Sequence, residues 1–246
     1  MRNLTRTEWE DFSASFQIPA TPLKDSEVKV LERVLSRSFT LHSTYREIRD
    51  IYIRRWAEIV FAAGAAKKAF NDSKLAGELS KNPGTFIPRR INSGFFGYDS
   101  WWNMPSLTAG QLNYWIDDTT PDNLGDTGHN EMTVGRPAVH LILYVRSYAK
   151  SPSVEIIEFT KNGSKLPAVD TTEEFYGSEL KIKELDTPIL LVGGTQNDKF
   201  KARVFTGYGT SDVLALCGIS FLTRKAASIY DPAEMAGSSL EYIAVQ

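Results

Sequence analysis

Cysteine occurs once in the 246 residues, at Cys217, and histidine only three times, at His42, His129 and His140. A single cysteine excludes an internal disulfide, and with so few histidines it excludes the usual cysteine–histidine zinc sites. Cys217 sits inside the apolar run 213–222, where a cysteine acts as a small buried hydrophobe. No run reaches the ~18 apolar residues of a membrane span. The first eight residues are polar and lack the apolar stretch of a secretory signal. These absences lead to the expectation of a cytoplasmic protein, or one assembled there into a particle such as a virion.

Several chemistries lack their signatures. There is no phosphate-binding Walker loop and no Gly-x-Ser-x-Gly elbow. Gly207-Tyr208-Gly209 is followed by a strand pattern, so no helix N-terminus is there to hold a phosphate. His129-Asn130-Glu131 has the His-x-Glu spacing of zinc deaminases without their paired cysteines. Basic residues do not form a dense face, so nucleic acid is not indicated. Net charge is −2, unevenly spread. Residues 1–90 hold 16 Lys/Arg and 11 Asp/Glu (+5); residues 91–246 hold 12 and 19 (−7). That asymmetry suits docking of the two parts, or head-to-tail contact between copies.

What is present changes texture along the chain. Thr5-Arg6-Thr7-Glu8 is a capping box, with Leu4 and Trp9 placed as a hydrophobic staple and Trp9, Phe12 and Phe16 at helical spacing. Pro19 and Pro22 end this helix. Asp25 is placed to cap a second helix, with Val28, Leu31, Val34, Leu35 and Phe39 on one face. Thr44 opens another capping box with Glu47, and an apolar stripe runs from Tyr45 through Ile48, Ile51, Tyr52, Trp56 and Ile59 to Val60. Arg46, Arg49, Arg54 and Arg55 fall largely off it and read as a solvated face. Around Gly64 the small residues predict a tight helix crossing. A further helical piece is expected over 67–81, stopped at Asn82-Pro83-Gly84.

From Pro137 the pattern is that of strands: 139–146, 154–160, 180–185, 189–192, 200–206 and 213–222, with Asn162-Gly163 as a hairpin turn. No helical pattern lies between them. Leu240, Tyr242, Ile243 and Val245 suit an edge strand, in this copy or a neighbour. The fold class read from this is α+β: a helical N-terminal part, 1–90, packed on an antiparallel, jelly-roll-like β-sandwich, 137–224. An irregular connector, 91–136, joins them, and a tail, 225–246, follows. Residues 107–115 are expected to form a helical turn or two.

Two features of the connector point to function. The first is its aromatic density: Phe95, Phe96, Tyr98, Trp101, Trp102, Tyr114 and Trp115. These either plug the joint between helices and sandwich or form a surface for subunit contact or ligand stacking. The second is the oxygen-rich loop 117–131, where Asp117, Asp118, Asp122, Asp126 and Glu131 are candidate ligands. Ca2+ is the ion such a loop can hold, and no other cofactor is called for.

The leading functional expectation is a self-assembling structural protein, such as a viral coat or other virion component. Its partners are then further copies, or a multi-protein assembly. One alternative is a carbohydrate- or ligand-binding sandwich with Trp101, Trp102 and Trp115 as platforms. The other is a hydrolase using Asp117, Asp118, Asp122 or Glu131 with His129, although no catalytic motif names it.

Overall fold

The fold was obtained as a computed structural model, which describes residues 1–39, 46–72, 86–91, 103–104, 107–118, 129–134, 138–177, 179–193, 197–208 and 211–223. Four helices come first: α1 (Arg6–Phe16), α2 (Asp25–Phe39), α3 (Arg46–Arg54) and α4 (Trp56–Asp72). Strands follow: β1 (Phe86–Arg90), β2 (Asn103–Met104), β3 (Gln111–Ile116), β4 (Met132–Thr133), β5 (Ala138–Ser147), β6 (Ile156–Lys161), β7 (Ser164–Lys165) and β8 (Val169–Asp170). A short helix α5 (Thr172–Gly177) precedes β9 (Ile182–Val192), β10 (Lys199–Thr206) and β11 (Asp212–Thr223). Among the described residues no helix is long and apolar enough to cross a membrane. The chain is therefore of the α+β class, a few helices with two antiparallel sheets.

Helix α1 begins as its sequence dictates. The Thr5 hydroxyl accepts the Glu8 amide, and the Glu8 carboxylate accepts the Thr5 amide at 2.8 Å. Two orphan amides of the first turn are satisfied at once. The start of α2 differs from the expected Asp25 cap. Asp25 is the first helical residue, and the Glu27 carboxylate takes the Lys24 amide instead, at 2.6 Å. Glu27 also receives the Lys67 ammonium of α4 on both oxygens at 3.0 Å, a buried ion pair tying two helices together. Thr44 of the second capping box and residues 73–85, which carry the rest of the expected helical piece and its stop, lie outside the described residues.

The stripe from Ile48 to Val60 is buried as its spacing requires. Arg54 and Arg55 are not merely solvated, however. Both reach Glu184 of β9, Arg55 at 2.7 Å, and Arg55 also donates to the Leu185 carbonyl. The end of α3 meets the edge of a sheet, which periodicity alone does not foresee. At Gly64 the expected close approach is present, but its partners are a side chain and a loop. A Cβ there would sit 2.4 Å from the Trp9 ring and 2.8 Å from the Thr21 carbonyl oxygen. Thr21 donates its amide to the Gly64 carbonyl at 3.0 Å, so the loop cannot simply retreat. Gly64→Ala is expected to destabilise the protein by about 1–3 kcal/mol, the usual range for overpacking. Urea denaturation of the two proteins checks this; equal midpoints would refute it.

The first sheet has the order β1-β11-β5-β9, with β2 also on β11; the second has β3-β10-β6-β7, with β4 on β10 and β8 on β6. Helices α1–α4 pack on one face of the first sheet, where Val139, Leu141, Leu143, Leu190, Ile219 and Phe221 join the helical residues in one core. Its other face shares a second core with the second sheet, built on Ile142, Leu191 and Leu216 against Ile157, Phe159, Phe200 and Val204. The first sheet is thus covered on both sides, which explains why β5 and β11 read as continuous apolar runs.

Several expectations need correction. Residues 111–116 form β3 and not a helical turn, because pairing with β10 supplies their backbone partners. Residues 182–185 and the segment 189–192 belong to the single strand β9, interrupted by a bulge opposite Ile142 and Tyr144. The stretch between the second and third predicted strands contains the helix α5. The hairpin at Asn162-Gly163 is as expected, with φ of 50° and 78° and the antiparallel pair β6·β7 on either side.

Candidate contact surface

The outer face of the second sheet has no helical layer among the described residues. Register places three outward rows across it. Leu112, Phe205 and Ile156 form the first; Tyr114, Arg203 and Glu158 the second; Lys201, Thr160 and Lys165 the third. Alternation sends Phe200, Ala202, Val204, Ile157 and Phe159 inward, so their neighbours must face out. Leu112 and Ile156 keep more than a third of their surface, and Tyr114 keeps 43 %. Arg203 and Glu158 pair across the strands at 2.6 Å. At the Ile156 end, Tyr176 and Tyr208 are also exposed, and Tyr176 lies within electrostatic reach of Glu155 and Tyr208.

Tyr114 has a second contact. The His129 ring stacks on it with centroids 3.7 Å apart and planes at 12°. His129 Nδ1 is 2.7 Å from Oδ2 of the buried Asp117. Next to it, Asp118 and Asn130 exchange two bonds. The Asp118 amide donates to the Asn130 carbonyl at 3.1 Å, and the Asn130 amide donates to the Asp118 carboxylate at 2.8 Å. The Asn130 amide holds the Asp118 carboxyl below its ordinary range. Together these contacts clasp the base of the loop 117–130 and fix its two ends against the sheet.

Of the proposed ion ligands, Asp117 and Asp118 are engaged in this clasp, and both Glu131 oxygens accept the Gly163 amide at 2.9–3.0 Å. Asp122 and Asp126 lie outside the described residues. Among the described residues, no three His, Cys, Asp or Glu side chains gather as a metal site. Of the aromatic set, Phe95, Phe96, Tyr98, Trp101 and Trp102 also lie outside them. Tyr114 is exposed and Trp115, its neighbour, is buried between the sheets at 5 % exposure. Trp115 is therefore a core residue in this fold and offers no face for stacking. Strand alternation turns these two neighbours to opposite faces, and the register shift opposite Ala202 and Arg203 lets Ile116 lie inward beside Trp115.

Burial pushes the Cys217 thiol up to about 12, which disfavours the thiolate. No protein-family model, no curated protein and no solved structure matches the chain.

Proposed function

We propose that the protein is a self-assembling structural subunit of the kind that builds a viral coat or another shell, with the outer face of the second sheet buried between copies. The observation that carries this reading is the apolar row Leu112–Phe205–Ile156, with Leu112 and Ile156 exposed and Phe205 half-buried, on a sheet face that carries no helical layer among the described residues. A contiguous exposed apolar patch rimmed by polar residues is the usual mark of a protein contact. Here the rim is supplied by the Arg203–Glu158 pair, Lys201 and Thr160.

The strand pairing supports a jelly-roll sandwich. Counting the residues 164–170 that flank Pro167 as one broken strand, the outermost strands pair as β1·β11, β3·β10 and β5·β9, and the innermost as β6 with β7 and β8. This nesting is one long hairpin rolled on itself. The added pairs β11·β5 and β10·β6 divide it into two sheets. Eight strands arranged as two Greek keys define the jelly roll, an architecture used in capsid and lectin domains. Such analogy speaks to fold, and the function rests on the exposed face.

Light scattering after size exclusion tests the assembly. The wild-type chain is expected to elute as a particle of many protomers. The double variant Leu112→Lys, Ile156→Lys is expected to elute as single chains with an unchanged circular dichroism spectrum. A wild-type mass of one chain at high concentration would sink the proposal.

A further inference from the structure

A cleft of about 890 Å³ opens where the edge of the first sheet meets the edge of the second. Strand β9 forms one wall, the broken edge 164–170 another, and the C-terminal end of α1 closes one side. Its size is that of a small-molecule site, roughly 300–1,000 Å³. The lining mixes polar side chains with apolar ones, the latter including Phe159, Leu166, Leu185 and Ile189. Lys161 is placed inward among them. Ile157, Phe159 and Lys161 share a parity on β6, so Lys161 points between the sheets like its two apolar neighbours.

The Lys161 ammonium is mostly buried. It donates to the Leu190 carbonyl at 2.7 Å and forms an ion pair with Asp198 at 3.5 Å. Asp198 is itself occupied, accepting the Val192 amide and the Asn162 side-chain amide at 2.8 Å each. An ammonium has three donors, and these partners leave one for the cleft. Burial lowers the Lys161 pKa in spite of Asp198. The other charges at the rim are engaged. Lys183 is held by Glu174, Glu184 by Arg54 and Arg55, and Asp170 accepts the Thr172 amide; Asp186 lies exposed at the mouth.

We propose that this cleft binds a small amphiphilic carboxylate, its apolar chain against Phe159, Leu185 and Ile189 and its carboxylate on Lys161. The carboxylate supplies an acceptor for the remaining ammonium donor, and the chain displaces water from apolar walls. This site is separate from the outer sheet face and does not depend on assembly.

Calorimetric titration of the full chain with sodium decanoate, below micelle formation, is the test. One saturable site per chain is expected. 1-Decanol, with the same chain and a neutral head, is expected to bind at least about tenfold more weakly, and Lys161→Met to weaken decanoate by a similar factor. Ala168→Trp, at the exposed mouth, is expected to abolish binding while the circular dichroism stays unchanged. If Lys161→Met does not fold, Ala168→Trp and decanol decide. No saturable uptake of decanoate, decanol binding as tightly, or full affinity in Ala168→Trp overturns the proposal.

Discussion

Gly218→Ala is expected to leave little or no folded protein. A Cβ at this position would lie 1.9 Å from the Leu141 carbonyl oxygen and 3.0 Å from its carbon, both backbone atoms of the neighbouring central strand. Gly218 sits at the register shift where Cys217 pairs with Tyr144 and Gly218 with Ile142, skipping Leu143. The two backbones close together there because one of them has no side chain. Relief would need β5 and β11 to separate in the middle of a sheet whose two faces are both packed, so the loss should exceed the ~1–3 kcal/mol of ordinary overpacking. The same residue anchors the helical layer, since its carbonyl accepts the Tyr52 hydroxyl at 3.1 Å. Tyr52→Phe removes only that donor and should cost about 1 kcal/mol. Soluble yield and denaturant midpoints separate the two cases. Gly218→Ala with near wild-type stability would mean that β5 and β11 are not packed as described.

Acid should weaken the fold through His140 well before most carboxylates titrate. His140 is buried, with Nδ1 2.7 Å from the Ser220 hydroxyl, and burial lowers its pKa to about 3. The unfolded chain takes up the proton near pH ~6.5 and the folded protein does not. The stability gained by keeping the imidazole neutral is thus complete above that pH. It is lost as pH falls toward the folded value. Linkage makes the loss about 2 kcal/mol by pH ~5 and roughly 4 kcal/mol by pH ~3. His140→Asn removes the titrating ring but keeps a group able to bond Ser220. The difference in stability between wild type and variant should therefore shrink from neutral pH to about pH 4.5, before carboxylate protonation dominates. Parallel curves across that interval would show that His140 protonates freely in the folded state.

Local signals proved readable where one stretch of chain supplies its own partners. The Thr5–Glu8 box closes α1 within four residues, and Asn162-Gly163 turns β6 into β7 with backbone angles that those two residues tolerate. The alternation in 200–206 reappears as the inward and outward rows of β10. Residues 111–116 misled because Gln-Leu-Asn-Tyr-Trp-Ile carries no clean period, and its state is set by β10, some ninety residues away. The surface was half legible. Tyr114 stood out as an aromatic, but nothing local says that Trp115 beside it turns inward. Lys161 passed unnoticed although its parity with Ile157 and Phe159 was visible, because parity has meaning only once the inner side of the strand is known.

The sequence by itself determined the class of the protein, its helical beginning and stranded remainder, the cap of its first helix, its hairpin turn, and the exclusion of an internal disulfide. Those follow from short-range physics: hydrogen-bond partners within a few residues and the repeat of apolar side chains. Tertiary structure alone decided which sheet face the helices cover and which stays open. It decided where Gly218 meets Leu141, and that the edges of two sheets leave a cleft around one lysine. Each of these joins residues distant in the chain, and the free energy of such contacts depends on shape and burial that no local pattern encodes.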